Sequence, residues 1–299
     1  MNTFNTEDKT ESLGFDSLSF LIGQTLNNPE IKNIQSNTLS NSNPSAIQTG
    51  FSEIDTKIQG FKKGELVLIA ARPGMGKTAF MLSMANNIAT RNAKRVALFS
   101  LERDGLQLAN RLLEKETGVP IVKLRNGNVK ETDKDFVQSK IEELSGSDIK
   151  VFDNRILTIQ NLIEKSRQLV YADLIDVIMI DAVELIANQQ KPEEEIHDIK
   201  NLALELNIPV IVFTTVTRSV EVRDENKKPL ITDLHRDMHT FADTVLMLYR
   251  PEYYMINEDK EGNSLKGKAE IIIAKHHVSG EQSVWLSYIE KYASFADLN

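Results

Sequence analysis

The residues with the clearest chemical pattern form a loop of sequence A-R-P-G-M-G-K-T at positions 71–78. The loop follows the apolar segment L-V-L-I-A and precedes T-A-F-M-L-S-M-A-N-N-I-A-T, so a strand leads into it and a helix leaves it. Glycines let backbone N–H groups turn toward phosphate oxygens, and the N-terminus of the helix adds partial positive charge. The spacing therefore predicts a nucleotide phosphate site made of Arg72, Pro73, Gly74, Met75, Gly76, Lys77 and Thr78.

Two residues of this loop have distinct expected roles. Lys77 would bridge the β- and γ-phosphates of ATP, and the Thr78 hydroxyl would be a ligand of Mg²⁺. The general pattern has Gly where this chain has Ala71, which is a small change because alanine also lacks a bulky side chain.

Nucleotide hydrolysis also requires carboxylates near the phosphates. Asp181 follows the apolar run V-I-M-I and is expected to hold Mg²⁺, although an Asp at this place can also simply cap a turn. Glu102 follows V-A-L-F-S-L and could activate the attacking water, or it could be a solvated acid at a strand end. Glu184 lies just beyond Asp181 and is a second candidate for the base.

Apolar runs and helical periodicity alternate along the chain from Thr49 onward, which predicts an α/β domain with a mostly parallel sheet flanked by helices. The last strands follow one another without helices, so we expect antiparallel strands at the C-terminal edge. The predicted strands are Leu66–Ala70, Val96–Leu101, Lys150–Phe152, Val177–Ile180, Val210–Thr214, Thr244–Leu248, Glu270–Ala274 and Val284–Tyr288. The predicted helices are Thr78–Thr90, Leu106–Thr117, Asp133–Leu144, Ile159–Ala172 and Glu193–Leu206.

Composition limits the possible classes of protein. The chain has 299 residues, no cysteine and a formal net charge of −8. These values exclude a disulfide scaffold, a cysteine-based zinc finger and a protein that coats nucleic acid by bulk positive charge. The sequence contains no apolar run of about 18 residues and no secretory signal at its start, so we expect a cytoplasmic protein without a membrane span.

The first 46 residues differ in composition from the rest. They are rich in Asn, Ser and Thr and predict a polar arm, followed by one domain over residues 47–299. Within the arm, apolar residues at helical spacing predict a short helix at about 14–27. This helix could pack on its own domain or dock on a neighbouring subunit. Residues 33–46 are typical of a flexible linker.

Taken together, these elements resemble the C-terminal motor domain of the DnaB-type replicative DNA helicases, a RecA-like P-loop ATPase. Outside the phosphate loop, the resemblance rests on seven segments: I-Q-T-G-F-S-E-I-D at 47–55, F-S-L-E at 99–102, L-I-D-V-I-M-I-D at 174–181, L-A-L-E-L-N-I-P-V-I at 202–211, R-S-V-E at 218–221, L-Y-R-P-E-Y-Y at 248–254 and K-A-E-I-I-I-A-K at 268–275.

The resemblance implies an ATP hydrolase that drives a hexameric ring along single-stranded DNA during replication, in contact with other replication proteins. It assigns Lys77 and Thr78 to phosphate and Mg²⁺, Asp181 to the metal and Glu102 to water activation. It assigns Lys275 to the nucleotide of the neighbouring subunit. Each of six basic residues could contact DNA or could equally be a solvated surface residue: Arg218, Arg223, Lys227, Lys228, Arg236 and Lys266.

Several positions depart from the family pattern. Ala182-Val183-Glu184 replaces Tyr-Leu-Gln, Thr215 replaces the Gln that senses the γ-phosphate, and His277 replaces an arginine finger. The segment Thr232–Asp243 is short, and the family's large N-terminal domain does not precede the matching region. A histidine of ordinary pKa is mostly neutral at pH 7, whereas arginine is always charged. We therefore expect nucleotide binding with weakened hydrolysis. The alternative is a non-motor nucleotide-binding paralogue that joins or regulates a helicase ring.

His276 and His277 could suggest a metal pair. Adjacent residues of a strand point to opposite faces, however, so we do not expect the two imidazoles to share a metal ion.

Overall fold

The fold is centred on one large sheet. The structure, a computed structural model, describes residues 13–28, 31, 46–186, 192–223, 227–235, 237–278 and 280–298. Ten strands form the sheet in the order β1-β6-β5-β7-β8-β4-β9-β10-β11-β12, and β2 pairs with β3 separately. The strands are β1 (Asp16–Ser17), β2 (Ala46–Ile47), β3 (Phe61–Lys62), β4 (Leu66–Ala71), β5 (Val96–Ser100), β6 (Ile149–Phe152), β7 (Val177–Asp181), β8 (Val210–Thr215), β9 (Thr244–Tyr249), β10 (Lys268–Lys275), β11 (Gln282–Ile289) and β12 (Ser294–Asp297).

The direction of the strands confirms the predicted fold class. The six strands from β6 to β9 in the sheet order run parallel, while β1, β10, β11 and β12 are antiparallel to their neighbours. All eight predicted strands and all five predicted helices are present. The helices are α1 (Leu18–Leu26), α2 (Ser52–Ile58), α3 (Lys77–Thr90), α4 (Gly105–Thr117), α5 (Ile121–Arg125), α6 (Lys134–Ser145), α7 (Ile159–Tyr171), α8 (Pro192–Leu206) and α9 (Met238–Phe241).

Strand β4 shows why the central strands are apolar throughout. Val67 and Ile69 point to one hydrophobic cluster, and Leu66 and Leu68 point to the other. Both faces of the sheet are therefore covered, which is the arrangement that continuous apolar runs indicate. Because β4, β5, β7 and β8 are parallel, their carboxyl ends meet at one edge of the sheet, and this edge holds the phosphate loop.

The predicted N-terminal helix is present as α1. Ser17 caps it by accepting a hydrogen bond from the Phe20 N–H. Just before it, the Phe15 ring is fully buried and lies 5.3 Å from the ring of Phe99, centroid to centroid. In this single chain α1 packs against α4 and α6. Docking on a neighbouring chain remains a prediction, and the proposed linker lies almost entirely outside the described residues.

No helix among the residues that the structure covers is both long and apolar enough to cross a membrane.

Candidate nucleotide-binding site

The phosphate loop is the turn between β4 and α3, and its backbone requires glycine. Gly74 and Gly76 have φ angles of 84° and 98°, which side chains with a Cβ rarely adopt. Space is limited as well, because a Cβ on Gly74 would lie 2.7 Å from the ring of Tyr253. Gly76 is the residue before α3, so the free N–H groups of the first helical turn face the loop. This geometry forms a cradle for an anion.

The two polar residues that end the loop contact neighbouring strands. Lys77 Nζ donates to Thr215 Oγ1 at the end of β8 over 2.6 Å. Thr78 Oγ1 donates to Asp181 Oδ2 at the end of β7 over 2.8 Å. The structure therefore brings together Lys77, Thr78 and Asp181.

Asp181 is almost fully buried, and burial raises the pKa of its carboxyl. The hydrogen bond from Thr78 and the charge of Lys77 act in the opposite direction, whereas Glu102 and Glu184 raise the pKa further. Its Oδ1 atom is buried without a hydrogen-bond partner. An unpaired buried carboxylate oxygen beside a threonine hydroxyl is the donor set that Mg²⁺ prefers, so these residues fit the metal expected with ATP.

The two candidate bases lie in different surroundings. The Glu102 side chain is half exposed, and its Oε1 lies 3.9 Å from a guanidinium nitrogen of Arg103. Glu184 Oε1 instead accepts from the Thr214 hydroxyl over 2.6 Å and from the Thr215 backbone N–H. Its other oxygen is buried without a hydrogen-bond partner. Solvent can therefore reach Glu102, whereas the hydrogen bonds of Glu184 fix the end of β8.

A cavity of about 330 Å³ adjoins the loop and contains residues that the sequence interpretation missed. Arg103, Arg111 and Ala293 line it together with Lys77, Thr78, Glu102 and Thr215. Arg111 belongs to α4, where burial and the nearby Arg103 lower its pKa. The signal for Arg111 was present in the sequence, since it interrupts the apolar positions of L-A-N-R-L-L at 108–113.

Arg72 connects the loop to the segment after β8. Its NH1 group donates to the Val216 carbonyl over 2.9 Å, and its NH2 group pairs with Glu221 at 2.7 Å. Arg72 lines the nucleotide cavity, but its hydrogen bonds run to this segment.

Lys275 lies away from the phosphate loop of its own chain. It ends β10 beside Val245 of β9 and donates to the His239 carbonyl over 2.9 Å. It lines a second cavity, of about 860 Å³, with Lys62, Lys63 and Lys200. The structure does not bring Lys275 to the phosphate loop of its own chain, and its expected action on a neighbour's nucleotide remains a prediction.

The expectation that His276 and His277 point to opposite faces of a strand was wrong. Strand β10 ends at Lys275, so the rule of alternating faces does not apply to the next two residues. Their rings lie 4.4 Å apart, centroid to centroid.

Some of the candidate DNA-binding side chains are engaged within the chain. Arg223 pairs with Asp233 at 2.5 Å, and Lys228 pairs with the buried Glu270 at 2.6 Å. Lys227 Nζ donates to the Glu221 carbonyl over 2.6 Å. Arg218 is exposed, as is Lys266, whereas Arg236 lies outside the described residues.

Comparison with known proteins tests the resemblance over nearly the whole domain. The profile of the DnaB-like helicase C terminal domain matches residues 46–297. The replicative DNA helicase DnaB of Geobacillus stearothermophilus is 33% identical over 300 residues, covering 97% of this chain and 64% of that protein. The replicative DNA helicase DnaC of Bacillus subtilis (strain 168) is 36% identical over 262 residues, covering 84% and 56%.

A solved structure agrees with the fold. A DnaB-like replicative helicase, solved to study its interactions with primase, matches with a TM-score of 0.76 and 32% identity, covering 87% of this chain and 64% of that one. A second solved chain, which is an ATPase domain, matches with a TM-score of 0.75 and 31% identity, covering 87% and 94%. This chain spans about three fifths of the length of the two curated relatives named above. The resemblance inferred from the motifs is confirmed, and the chain belongs to the DnaB-like helicase C-terminal domain family.

Proposed function

We propose that this chain is the ATP-binding motor of a cytoplasmic DNA helicase or translocase that acts on single-stranded DNA during replication. ATP would be held by the phosphate loop, with Mg²⁺ on Thr78 and Asp181. The working form would be a hexameric ring of identical chains, in which Lys275 acts on the nucleotide of the next subunit. Other replication proteins, primase among them, are the expected partners.

The observation that carries this proposal is the meeting of Lys77, Thr78 and Asp181 at one sheet edge. The elements α3, β7 and β8, which are far apart in the sequence, supply these residues and their hydrogen-bond partners. Each side chain has the chemistry that a bound nucleotide requires. Glu102 borders the same cavity and is exposed enough to meet an attacking water. Magnesium supplies charge neutralisation of the phosphates when it is bound, while Lys77 and the loop N–H groups position them.

Hydrolysis in this chain is expected to be slow. Arginine fingers in GTPases accelerate hydrolysis by about 10³–10⁵-fold, and His277 replaces the arginine at the corresponding place. The residue in the γ-phosphate sensor position is Thr215, whose hydroxyl accepts from Lys77. A nucleotide must compete with this hydrogen bond for the lysine.

The same two residues favour a second candidate, a nucleotide-binding paralogue that joins or regulates a helicase ring without being a motor. This alternative predicts nucleotide binding but no hydrolysis that depends on DNA. It differs from the first proposal in activity and not in fold.

Steady-state ATP hydrolysis with and without single-stranded DNA tests the proposal, with Lys77→Ala as the variant lacking the phosphate contact. We expect tight nucleotide binding by the original chain and slow turnover that DNA increases. Turnover of several per second would contradict the weakened hydrolysis. Absence of any DNA effect would favour the paralogue, and unchanged nucleotide binding by Lys77→Ala would contradict the site itself.

A further inference from the structure

Three possible metal ligands meet at the sheet edge opposite the phosphate loop. Glu65 precedes β4, and His276 and His277 follow β10. One ligand atom from each residue lies within 4.8 Å of the other two. The phosphate loop follows the far end of β4, so about 20 Å of strand separates the two sites. We call this group the Glu65–His276–His277 cluster.

The contacts of Glu65 suit coordination. Glu65 is buried, and its Oε2 accepts from the Lys62 backbone N–H over 2.6 Å, while its Oε1 accepts a long contact of 3.5 Å from the Thr244 hydroxyl. His276 is buried as well, and its Nδ1 accepts from the Val278 backbone N–H over 3.4 Å. A buried carboxylate is stabilised by a paired or coordinated cation.

A positive charge already lies beside the cluster. Lys62 Nζ makes a 2.5 Å hydrogen bond to His277 Nε2, so this nitrogen presents a lone pair to the ammonium group. The same charge acts on Glu65 and on His276. Lys62 is therefore the group that an external cation would have to displace.

We propose that Glu65, His276 and His277 bind a transition metal ion of the Zn²⁺ class. Two imidazoles and one carboxylate are a common set of three protein ligands for Zn²⁺, and they leave a fourth position open. That position would face the 860 Å³ cavity lined by Lys63, Lys200 and Lys275. The lysines favour water or an anionic group as the fourth ligand, because an anion offsets their charge.

Calorimetric titration of the full chain with ZnCl₂, without nucleotide, tests the site. We expect one ion per chain, and roughly tenfold or greater loss of affinity in His276→Ala and in His277→Ala. His197→Asn is the matched control, because His197 lines the same cavity outside the cluster and its loss should leave the affinity unchanged.

An increase in Zn²⁺ affinity in Lys62→Met could not result from damage to the fold. Removing the competing ammonium should strengthen Zn²⁺ binding several-fold. Absence of stoichiometric binding in the original chain, equal affinity in the two cluster variants and the original chain, or no gain in Lys62→Met would each overturn the proposal. The outcome of the Zn²⁺ titration does not depend on the proposed motor function, because Lys77→Ala should bind Zn²⁺ normally whether or not the chain hydrolyses ATP.

Discussion

At the scale of single residues, we expect Asp181 to affect both metal binding and stability. Its carboxylate is the acidic group that contacts Thr78. Asp181→Asn should weaken Mg²⁺-dependent nucleotide binding roughly tenfold or more, about 1.4 kcal/mol or more, because it removes the charge that attracts the metal. Titration with a fluorescent ADP analogue, with Mg²⁺ and with EDTA, measures the difference. Equal affinity for the variant and the original chain in Mg²⁺ would contradict the assignment.

The same substitution should have the opposite effect on the nucleotide-free fold. Burial raises the pKa of Asp181 above 3.8, so the folded state binds a proton more readily than the unfolded state does. Between 3.8 and the raised pKa, the unfolding free energy therefore falls as pH increases. Asp181→Asn should remove this slope and stabilise the metal-free chain at neutral pH. Urea unfolding at several pH values checks this, and a steeper slope in the variant would be incompatible with it.

Glu184 is expected to act through the end of β8. Glu184→Ala leaves the buried Thr214 hydroxyl and Thr215 N–H without their acceptor, which should cost about 1–3 kcal/mol of unfolding free energy. Glu184→Gln keeps an acceptor oxygen and is the matched control, with a smaller expected loss. Equal losses in the two variants, measured in urea, would show that the carboxylate charge matters more than the hydrogen bonds.

At the scale of secondary-structure elements, the N-terminal segment is part of the core of its own chain. Phe15 contacts the rings of Phe99 and Phe152, and Leu18, Leu21 and Ile22 are buried. Phe15→Ala should lower the unfolding free energy by about 3–5 kcal/mol. Phe136→Ala is the control, because that ring is 53% exposed. The measurement should use dilute protein without nucleotide, and absence of an effect would mean that the segment docks on another chain.

The sequence predicted those elements whose signal is local. The runs at β4, β5, β7 and β8 are apolar on both faces, and the phosphate loop is encoded within eight residues, so both were predictable. Strand β1 was not, because two polar residues, Asp16 and Ser17, carry no periodicity. The meeting of Glu65 with His276 depends on the register of β4, β9 and β10, which no spacing along the chain reveals.

At the scale of the whole molecule, the net charge of −8 restricts how the chain could bind DNA. Arg223 and Lys228 balance the buried acids Asp233 and Glu270, so they serve the fold. Exposed Arg218 is a better candidate for a phosphate contact. Arg218→Gln should weaken DNA binding at all sequences and reduce the salt slope by about one. Arg223→Gln should instead lower stability. Lower stability in Arg218→Gln together with weaker DNA binding in Arg223→Gln would contradict this division.

Assembly is the property that distinguishes a ring motor, because such a motor must join nucleotide, DNA and neighbouring chains. The measurement is the solution mass of the protein with a non-hydrolysable ATP analogue and single-stranded DNA, compared with the protein alone and with Lys77→Ala. We expect a DNA-bound hexamer that requires both ligands and that Lys77→Ala does not form. A monomer whose mass is unchanged by nucleotide and DNA would contradict it.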